Sequence, residues 1–143
     1  MRDHIENLQR RLNRVASAYK KNYSREEINQ QAGYDVAEAV SVTSYERMDG
    51  EMVIDIYYYS QNARRVMNIV NTLEKEYSFT SKVRSTKEQV TGTKVALQLS
   101  FGKIQRNPAL GHPSGEVRAC LRQLSPMLKR EFGEDLTFIH PSL

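Results

Sequence analysis

Two alternating runs of apolar and polar residues, joined by Asp49-Gly50, occupy residues 40–60 and predict a β-hairpin. Asp-Gly between such runs is a strong hairpin signal, because both central residues of a type I′ turn need positive φ. In the second strand, side chains two positions apart share a face. One face therefore holds Met52, Ile54, Ile56 and Tyr58, and the other holds Val53, Asp55, Tyr57 and Tyr59. The first set predicts a buried core, whereas the tyrosines and the carboxylate of the second set indicate a separate role.

Length and composition predict one folded domain rather than a disordered chain. The 143 residues are 39% hydrophobic and 27% charged, which provides enough apolar material for a core. The formal net charge of +4 is mildly basic and compatible with a nucleic acid or an acidic protein as the partner. Cys120 is the single cysteine, which predicts a reducing compartment. The charged start of the chain and the lack of a long apolar run predict a cytoplasmic protein without a membrane segment.

The first 34 residues predict a basic helical pair that precedes an α+β domain over residues 35–143. Apolar residues recur at spacings of three and four from residue 3 to residue 22, which is typical of an amphipathic helix. Ser24 and Glu27 form a capping box that opens a second helix, and Gly33 predicts its end. Seven of the 21 lysines and arginines lie in the first 25 residues. Arg10 and Arg14 share one helix face and are therefore candidate phosphate contacts.

Beyond the hairpin, apolar periodicity predicts two more helices and three more strands. The helices cover residues 62–77 and the region from 114 onward, where Ser125-Pro126 predicts a break and a new helical start. The strands cover residues 79–88, 93–101 and 136–140. From Glu51 onward the order is β-α-β-β-α-β, which predicts a ferredoxin-like split βαβ antiparallel sheet with both helices on one face. The extra N-terminal hairpin strand near residues 40–48 would compete with the C-terminal strand for the same neighbour.

The sheet face away from the predicted helices is rich in tyrosine and cationic residues. Its candidate partner-binding residues are Tyr45, Arg47, Tyr57, Tyr59, Lys82, Arg84 and Lys94, with Asp55 and Gln98 beside them. Bases stack on aromatic rings while cations contact phosphates, so an exposed face of this kind favours RNA or another single-stranded nucleic acid. We therefore expect a non-enzymatic module that holds nucleic acid or an acidic protein partner through this face and the basic helix.

The same residues fit several other interpretations. Tyrosine is enriched at protein interfaces, so the face would also suit a second copy in a homo-oligomer, or the N-terminal helices. An accessory or inhibitory protein that blocks a partner's surface would use these residues as well. A small-molecule lyase or hydrolase would use Tyr57, Tyr59, Asp55 and the 102–115 loop at a subunit interface. Residues 24–42 resemble a helix-turn-helix, which would place the helix after Gly33 in a DNA major groove.

The loop before the last helix holds a candidate anion site. His112, Ser114 and Gly115 stand where the free backbone amides of a helix N-terminus favour a negative charge, with Ser114 as the expected N-cap. The three histidines are far apart, so the sequence predicts neither a metal site nor a cofactor. Cys120 lies on the apolar stripe of the last helix, which predicts a buried side chain rather than a nucleophile.

Overall fold

The computed structural model of the 143-residue chain describes residues 30, 34, 40–103, 113–133 and 136–139. These residues form an α+β fold with a five-stranded mixed sheet and two helices. The strands are β1 (Val40–Glu46), β2 (Glu51–Tyr59), β3 (Thr80–Gln89), β4 (Gly92–Lys103) and β5 (Leu136–Ile139). The helices are α1 (Ala63–Glu74), which follows a 3-10 turn at Ser60–Asn62, and α2 (Ser114–Phe132).

The strand order of the sheet is β3-β4-β2-β1-β5, so β1 lies between β2 and the C-terminal strand. β1 pairs antiparallel with β2, from Val40 opposite Tyr58 to Glu46 opposite Met52. β5 pairs in parallel with the other side of β1, with Leu136 beside Val40. The predicted ferredoxin-like arrangement is not confirmed, because in it the C-terminal strand would pair directly with β2. The tight connection between β1 and β2 keeps these strands together and leaves the free edge of β1 to β5.

The hairpin loop is one residue longer than the sequence predicts. Gly50 N donates a hydrogen bond of 2.9 Å to Arg47 O, and Arg47 N donates one of 2.8 Å to Glu51 O. Met48, Asp49 and Gly50 therefore form a three-residue loop, in which Gly50 has a φ of 88°. A loop of this length needs one residue in the left-handed region after its turn, whereas the predicted type I′ turn needs two.

Both helices pack against the same face of the sheet, and the main apolar core lies between the two layers. Ile54 and Ile56 of β2 and Leu99 of β4 are fully buried at its centre. The buried helical residues are Val66, Ile69, Val70 and Leu73 from α1 and Val117, Cys120, Leu124, Leu128 and Phe132 from α2. The apolar stripes predicted from residue spacing therefore cover the face that Ile54 and Ile56 present.

α2 continues through Pro126, where the sequence predicts a break. Proline cannot donate to the helical ladder, and in the same turn the Ser125 hydroxyl donates a hydrogen bond of 2.7 Å to Leu121 O. Leu124 and Leu128, which lie on either side of the proline, are both fully buried. We attribute the continuous helix to this burial, because the packing of an apolar stripe outweighs a local cost of about 3 kcal/mol.

The predicted N-terminal helical pair lies outside the described residues, apart from Gln30 and Tyr34. Both have helical backbone, although Tyr34 follows Gly33, where the sequence predicts that the helix ends. From residue 40 onward the helix-turn-helix interpretation is wrong, because a β-strand begins at Val40. In the part of the chain that the structure describes, no helix is long and apolar enough to cross a membrane.

Candidate functional site

Most of the sheet face away from the helices is polar and buried, whereas the nucleic-acid interpretation expects an exposed surface there. Its most enclosed polar side chains, each at most 7% exposed, are Ser41, Thr43, Asp55, Lys94, Gln98 and Thr137. Tyr45 and Tyr57 lie among them and are 7% and 0% exposed. Such a face differs from an apolar core, because each buried polar group requires a hydrogen-bonding partner. The ring of Tyr57 is therefore not available to a base in this conformation.

Tyr34 and Gln30 pack on this face and contribute to its burial. The ring of Tyr34 meets that of Tyr57 edge to face, with the ring centroids 5.1 Å apart. The Tyr34 hydroxyl is hydrogen-bonded to the Ser85 hydroxyl. Gln30 Nε2 donates a hydrogen bond of 3.0 Å to the Tyr45 hydroxyl. Among the interpretations left open by the sequence, packing of Gln30 and Tyr34 on the sheet of the same chain accounts for these contacts.

Asp55, in the middle of β2, is fully buried and surrounded by four donor side chains. Its Oδ2 accepts hydrogen bonds from the hydroxyls of Tyr45, at 2.7 Å, and Tyr57, at 3.2 Å. Its Oδ1 accepts from Gln98 Nε2 at 2.9 Å. Arg84 completes the set as an ion pair, with Nε 3.4 Å from Oδ2. A buried carboxylate requires this compensation, because removing its charge from water is costly. These five residues form what we call the Asp55 network.

Burial raises the pKa of both Tyr45 and Tyr57 far above the usual range for a phenol. The negative charge of Asp55 acts in the same direction, because it would repel a second anion beside it. Both tyrosines therefore stay protonated, and their hydroxyls act as donors to the carboxylate. With both of its oxygens engaged, Asp55 serves as a hydrogen-bond acceptor that fixes its neighbours.

Arg84, which contacts the Asp55 network, is the extra residue of a β-bulge in β3. The pairing register between β3 and β4 shifts between Val83 and Ser85, so Arg84 is an additional residue in β3. Arg84 Nη2 donates a hydrogen bond of 3.0 Å to the Tyr57 hydroxyl. Alternation alone predicts Arg84 on this face, but nothing in the sequence indicates the bulge.

A groove of about 320 Å³ lies beside the Asp55 network and is lined by Gln30, Arg47, Lys82, Val83, Arg84 and Gln98. Three of these residues are cations: Arg47 directly precedes the hairpin loop, and Lys82 and Arg84 come from β3. Arg47 Nη1 donates to Gln98 Oε1 at 3.1 Å, and its Nη2 donates to the Asp49 carboxylate at 2.7 Å. Lys82 is exposed at the groove. The structure thus brings three of the predicted partner-binding residues together in what we call the basic groove.

Tyr59 and Lys94 lie elsewhere on this face and do not line the basic groove. Lys94 is fully buried, and its Nζ is 5.3 Å from the centroid of the Tyr59 ring. The Tyr59 hydroxyl donates to Gln89 Oε1 at 3.1 Å and accepts from the Thr91 hydroxyl at 2.8 Å. These contacts join the end of β2 to the turn between β3 and β4, which indicates a structural role for both residues.

The start of α2 differs from the predicted anion site. Pro113 is the N-cap, so Ser114 is the first helical residue rather than the cap. Glu116 lies in the first turn, and its carboxylate accepts a hydrogen bond of 2.7 Å from Ser78 N. This carboxylate supplies the negative charge that a helix N-terminus favours. His112 lies outside the described residues.

Cys120 is fully buried in the core stripe of α2, as the sequence predicts. Burial raises the pKa of its thiol to about 12, with a smaller contribution from the charge of Glu116. The thiol therefore stays protonated and unreactive at neutral pH. Over the residues that the structure describes, no cluster of three or more His, Cys, Asp or Glu side chains is arranged to hold a metal ion.

Two contributors to the site are not indicated by the sequence. Gln30 and Tyr34 reach the sheet from the N-terminal segment, and residue spacing gives no information on so distant a contact. The one local signal is an aromatic residue, Tyr34, placed directly after the predicted helix end. Arg10 and Arg14, the predicted phosphate contacts of the basic helix, lie outside the described residues.

Comparison of the chain with protein-family models found no matching family, and searches among curated proteins and solved structures found no match either. The function must therefore be inferred from the geometry of the basic groove and the Asp55 network.

Proposed function

We propose that the protein is a non-enzymatic binding module that holds single-stranded nucleic acid by its phosphates in the basic groove. The observation that supports this most is the convergence of Arg47, Lys82 and Arg84 on one groove of about 320 Å³. Cations gathered on a concave polar surface favour a polyanion, because the phosphates release bound counterions when they are neutralised. The net charge of +4 acts in the same direction.

The buried tyrosines fit this function as supports rather than as stacking platforms. Tyr45 and Tyr57 both donate to the Asp55 carboxylate, and Tyr57 is fully buried. Affinity would then come from phosphate contacts more than from the bases. Contacts of this kind position a strand without reading it, so binding should differ little between base sequences.

The same geometry admits two alternatives. An acidic protein surface is a second kind of anionic partner for the basic groove, and an accessory or inhibitory protein would use the groove in this way. A lyase or hydrolase has less support, because the oxygens of Asp55, its expected base, already accept hydrogen bonds from Tyr45, Tyr57 and Gln98.

Fluorescence anisotropy with labelled oligonucleotides of about 12 nucleotides tests the proposal. Single-stranded RNA, single-stranded DNA, a duplex and a polyglutamate peptide would be compared between about 50 and 300 mM salt. We expect the single strands to bind, with a slope of log K against log salt near −0.7 for each phosphate contact. Stronger binding of polyglutamate would favour the acidic-protein alternative. Light scattering of the same samples measures whether the protein is the expected homo-oligomer.

Lys82→Ala is the most informative variant, because Lys82 is an exposed residue of the groove. We expect binding to weaken about three- to tenfold. The slope of log K against log salt should become less steep by about the amount that one phosphate contact contributes. Lys129→Ala is the matched control, since Lys129 is an exposed cation in the last turn of α2, whose buried residues pack on the other face of the sheet. An equal loss in both variants, or no binding at about 50 mM salt, would show that the proposal is wrong.

A further inference from the structure

We infer that Asp55 is a positioning residue for the basic groove, which holds Arg84 directly and Arg47 through Gln98. The binding readout of this inference rests on the proposed function. Asp55 itself is 0% exposed and is not among the residues that line the groove. Its effect on a ligand must therefore pass through the side chains that it fixes.

The Gln98 amide transmits the orientation from Asp55 to Arg47. A carboxylate only accepts hydrogen bonds, so the NH₂ end of the amide must face Asp55, where Nε2 donates to Oδ1 at 2.9 Å. The carbonyl end then faces the groove, and Oε1 accepts from Arg47 Nη1 at 3.1 Å. Gln98 Nε2 also donates a second hydrogen bond, of 3.3 Å, to the Tyr45 hydroxyl. Gln98 is 1% exposed, so its packing further restricts rotation of the amide.

The other arm of the network holds Arg84. Arg84 Nε is 3.4 Å from Asp55 Oδ2, and Nη2 donates to the Tyr57 hydroxyl at 3.0 Å. That hydroxyl donates in turn to Oδ2 at 3.2 Å, so the guanidinium, the phenol and the carboxylate form a closed set of contacts. Within the described residues, no hydrogen bond joins Lys82 to this network. Lys82 is therefore an internal reference for a groove cation that Asp55 does not position.

The sign of the change in polyanion binding when Asp55 is neutralised distinguishes a positioning role of Asp55 from a purely electrostatic one. Asp55 places a negative charge behind a groove for anions, so neutralising it would by Coulomb's law alone strengthen the binding of a polyanion. Positioning acts in the opposite direction. An arginine that is already fixed loses less conformational freedom when it binds phosphate, and the complex is stronger for it. Loss of the positioning contacts would therefore weaken binding.

Asp55→Asn provides the first test, in the oligonucleotide assay at fixed salt with the native fold verified by circular dichroism. Asparagine keeps the size of the side chain but presents an NH₂ group to neighbours that are themselves donors. We expect binding to weaken about tenfold. Unchanged or tighter binding would overturn the inference.

Tyr57→Phe is a milder variant, which serves if Asp55→Asn does not fold. Tyr57 is fully buried, so its hydroxyl contacts Arg84 and Asp55 rather than a ligand. We expect binding to weaken about threefold, because Arg84 loses its hydrogen bond to the Tyr57 hydroxyl. Binding equal to that of the wild type would overturn the Arg84 arm of the inference.

Double-mutant cycles separate positioning from a general loss of stability. If Asp55 acts through Arg47, the effects of Asp55→Asn and Arg47→Ala on binding are less than additive. The effects of Asp55→Asn and Lys82→Ala add, because the network does not hold Lys82. Equal additivity in both cycles would overturn the inference.

NMR relaxation of the arginine Nε–Hε groups gives a readout that needs no ligand. We expect Arg47 and Arg84 to be more ordered than Arg118, an exposed residue of α2, and to lose that order in Asp55→Asn. If the wild-type protein binds no oligonucleotide but its arginines behave in this way, the proposed function fails and the positioning role stands. If both arginines are as mobile as Arg118 in the wild type, the positioning role is overturned even where oligonucleotides bind.

Discussion

The hydroxyl of Tyr45 donates a hydrogen bond of 2.7 Å to Oδ2 of Asp55, one strand away in the sheet and fully buried. A carboxylate and a phenol are thus buried on a sheet face, although buried positions are usually occupied by apolar side chains. The opposite face of β2 is apolar, with Ile54 and Ile56 beneath the helices. The two faces of β2 therefore differ in kind: one stabilises the fold by apolar burial, and the other fixes side chains by hydrogen bonds.

Tyr45→Phe should lower the free energy of unfolding by about 1–3 kcal/mol, because it leaves the buried Asp55 carboxylate short of one donor. Urea unfolding followed by circular dichroism measures this change. Tyr58→Phe is the matched control, since Tyr58 lies on the helix-facing side of the sheet and takes no part in the Asp55 network. A loss in Tyr58→Phe as large as that in Tyr45→Phe would contradict the role assigned to the Tyr45 hydroxyl.

Alkaline pH should destabilise the protein through the two tyrosines of the network. Burial raises the pKa of Tyr45 and Tyr57 in the folded state, so above about pH 10 the unfolded chain loses these protons while the folded protein keeps them. The free energy of unfolding then falls as pH rises, by at most about 1.4 kcal/mol per pH unit for each tyrosine. Below that pH this contribution is constant.

Comparison of variants isolates this alkaline effect from other titrating groups. Tyr45→Phe removes one of the two tyrosines, so its stability should decrease less steeply with pH than that of the wild type. Asp55 and Arg84 face both phenols and are unchanged in this comparison. Urea unfolding at intervals between about pH 9 and pH 11 gives the two slopes. Parallel slopes would show that the Tyr45 phenol is not protected in the folded state.

The parts of the fold that depend on local residue patterns could be predicted from the sequence. The parts that depend on contacts between residues far apart in the sequence could not. Alternation in β2 identifies which residues share a face, and helical spacing identifies the stripes of α1 and α2. The position of β1 between β2 and β5 depends on competition between two strands for one neighbour, which spacing does not resolve. The continuous course of α2 through Pro126 likewise depends on tertiary burial of Leu124 and Leu128.

The candidate site also has features that the residue pattern predicts and features that depend on distant contacts. Alternation correctly groups Tyr45, Asp55, Tyr57 and Gln98 on one face, but it gives no information on whether that face is covered. The burial depends in part on Tyr34, whose ring meets that of Tyr57 across a long separation in the sequence. The sequence consequently leaves open whether these residues are exposed for stacking or covered, whereas in the structure they are buried and hydrogen-bonded.

Cys120 should resist alkylation in the folded protein. Its side chain is 0% exposed, and burial raises the pKa of the thiol to about 12, so very little thiolate is present near neutral pH. We expect iodoacetamide at about pH 8 to modify the native protein at least a hundredfold more slowly than the urea-unfolded chain. Mass spectrometry of timed samples measures both rates. Similar rates in the two states would mean that the thiol is not enclosed in the core.

Gly50 and Gly115 should respond in opposite directions to replacement by alanine. Gly50 has a φ of 88° in the hairpin loop, so Gly50→Ala forces an L-residue into the left-handed region and should destabilise the protein by about 1–2 kcal/mol. Gly115 lies in the first turn of α2, and among the described residues outside that helix no atom lies within 4 Å of an added Cβ. Gly115→Ala should stabilise the protein by up to about 1 kcal/mol, because alanine loses less backbone entropy in a helix. Urea unfolding measures whether each substitution raises or lowers the free energy of unfolding. A destabilised Gly115→Ala would contradict the helical start at Ser114, and an unaffected Gly50→Ala would contradict the three-residue loop that joins β1 to β2.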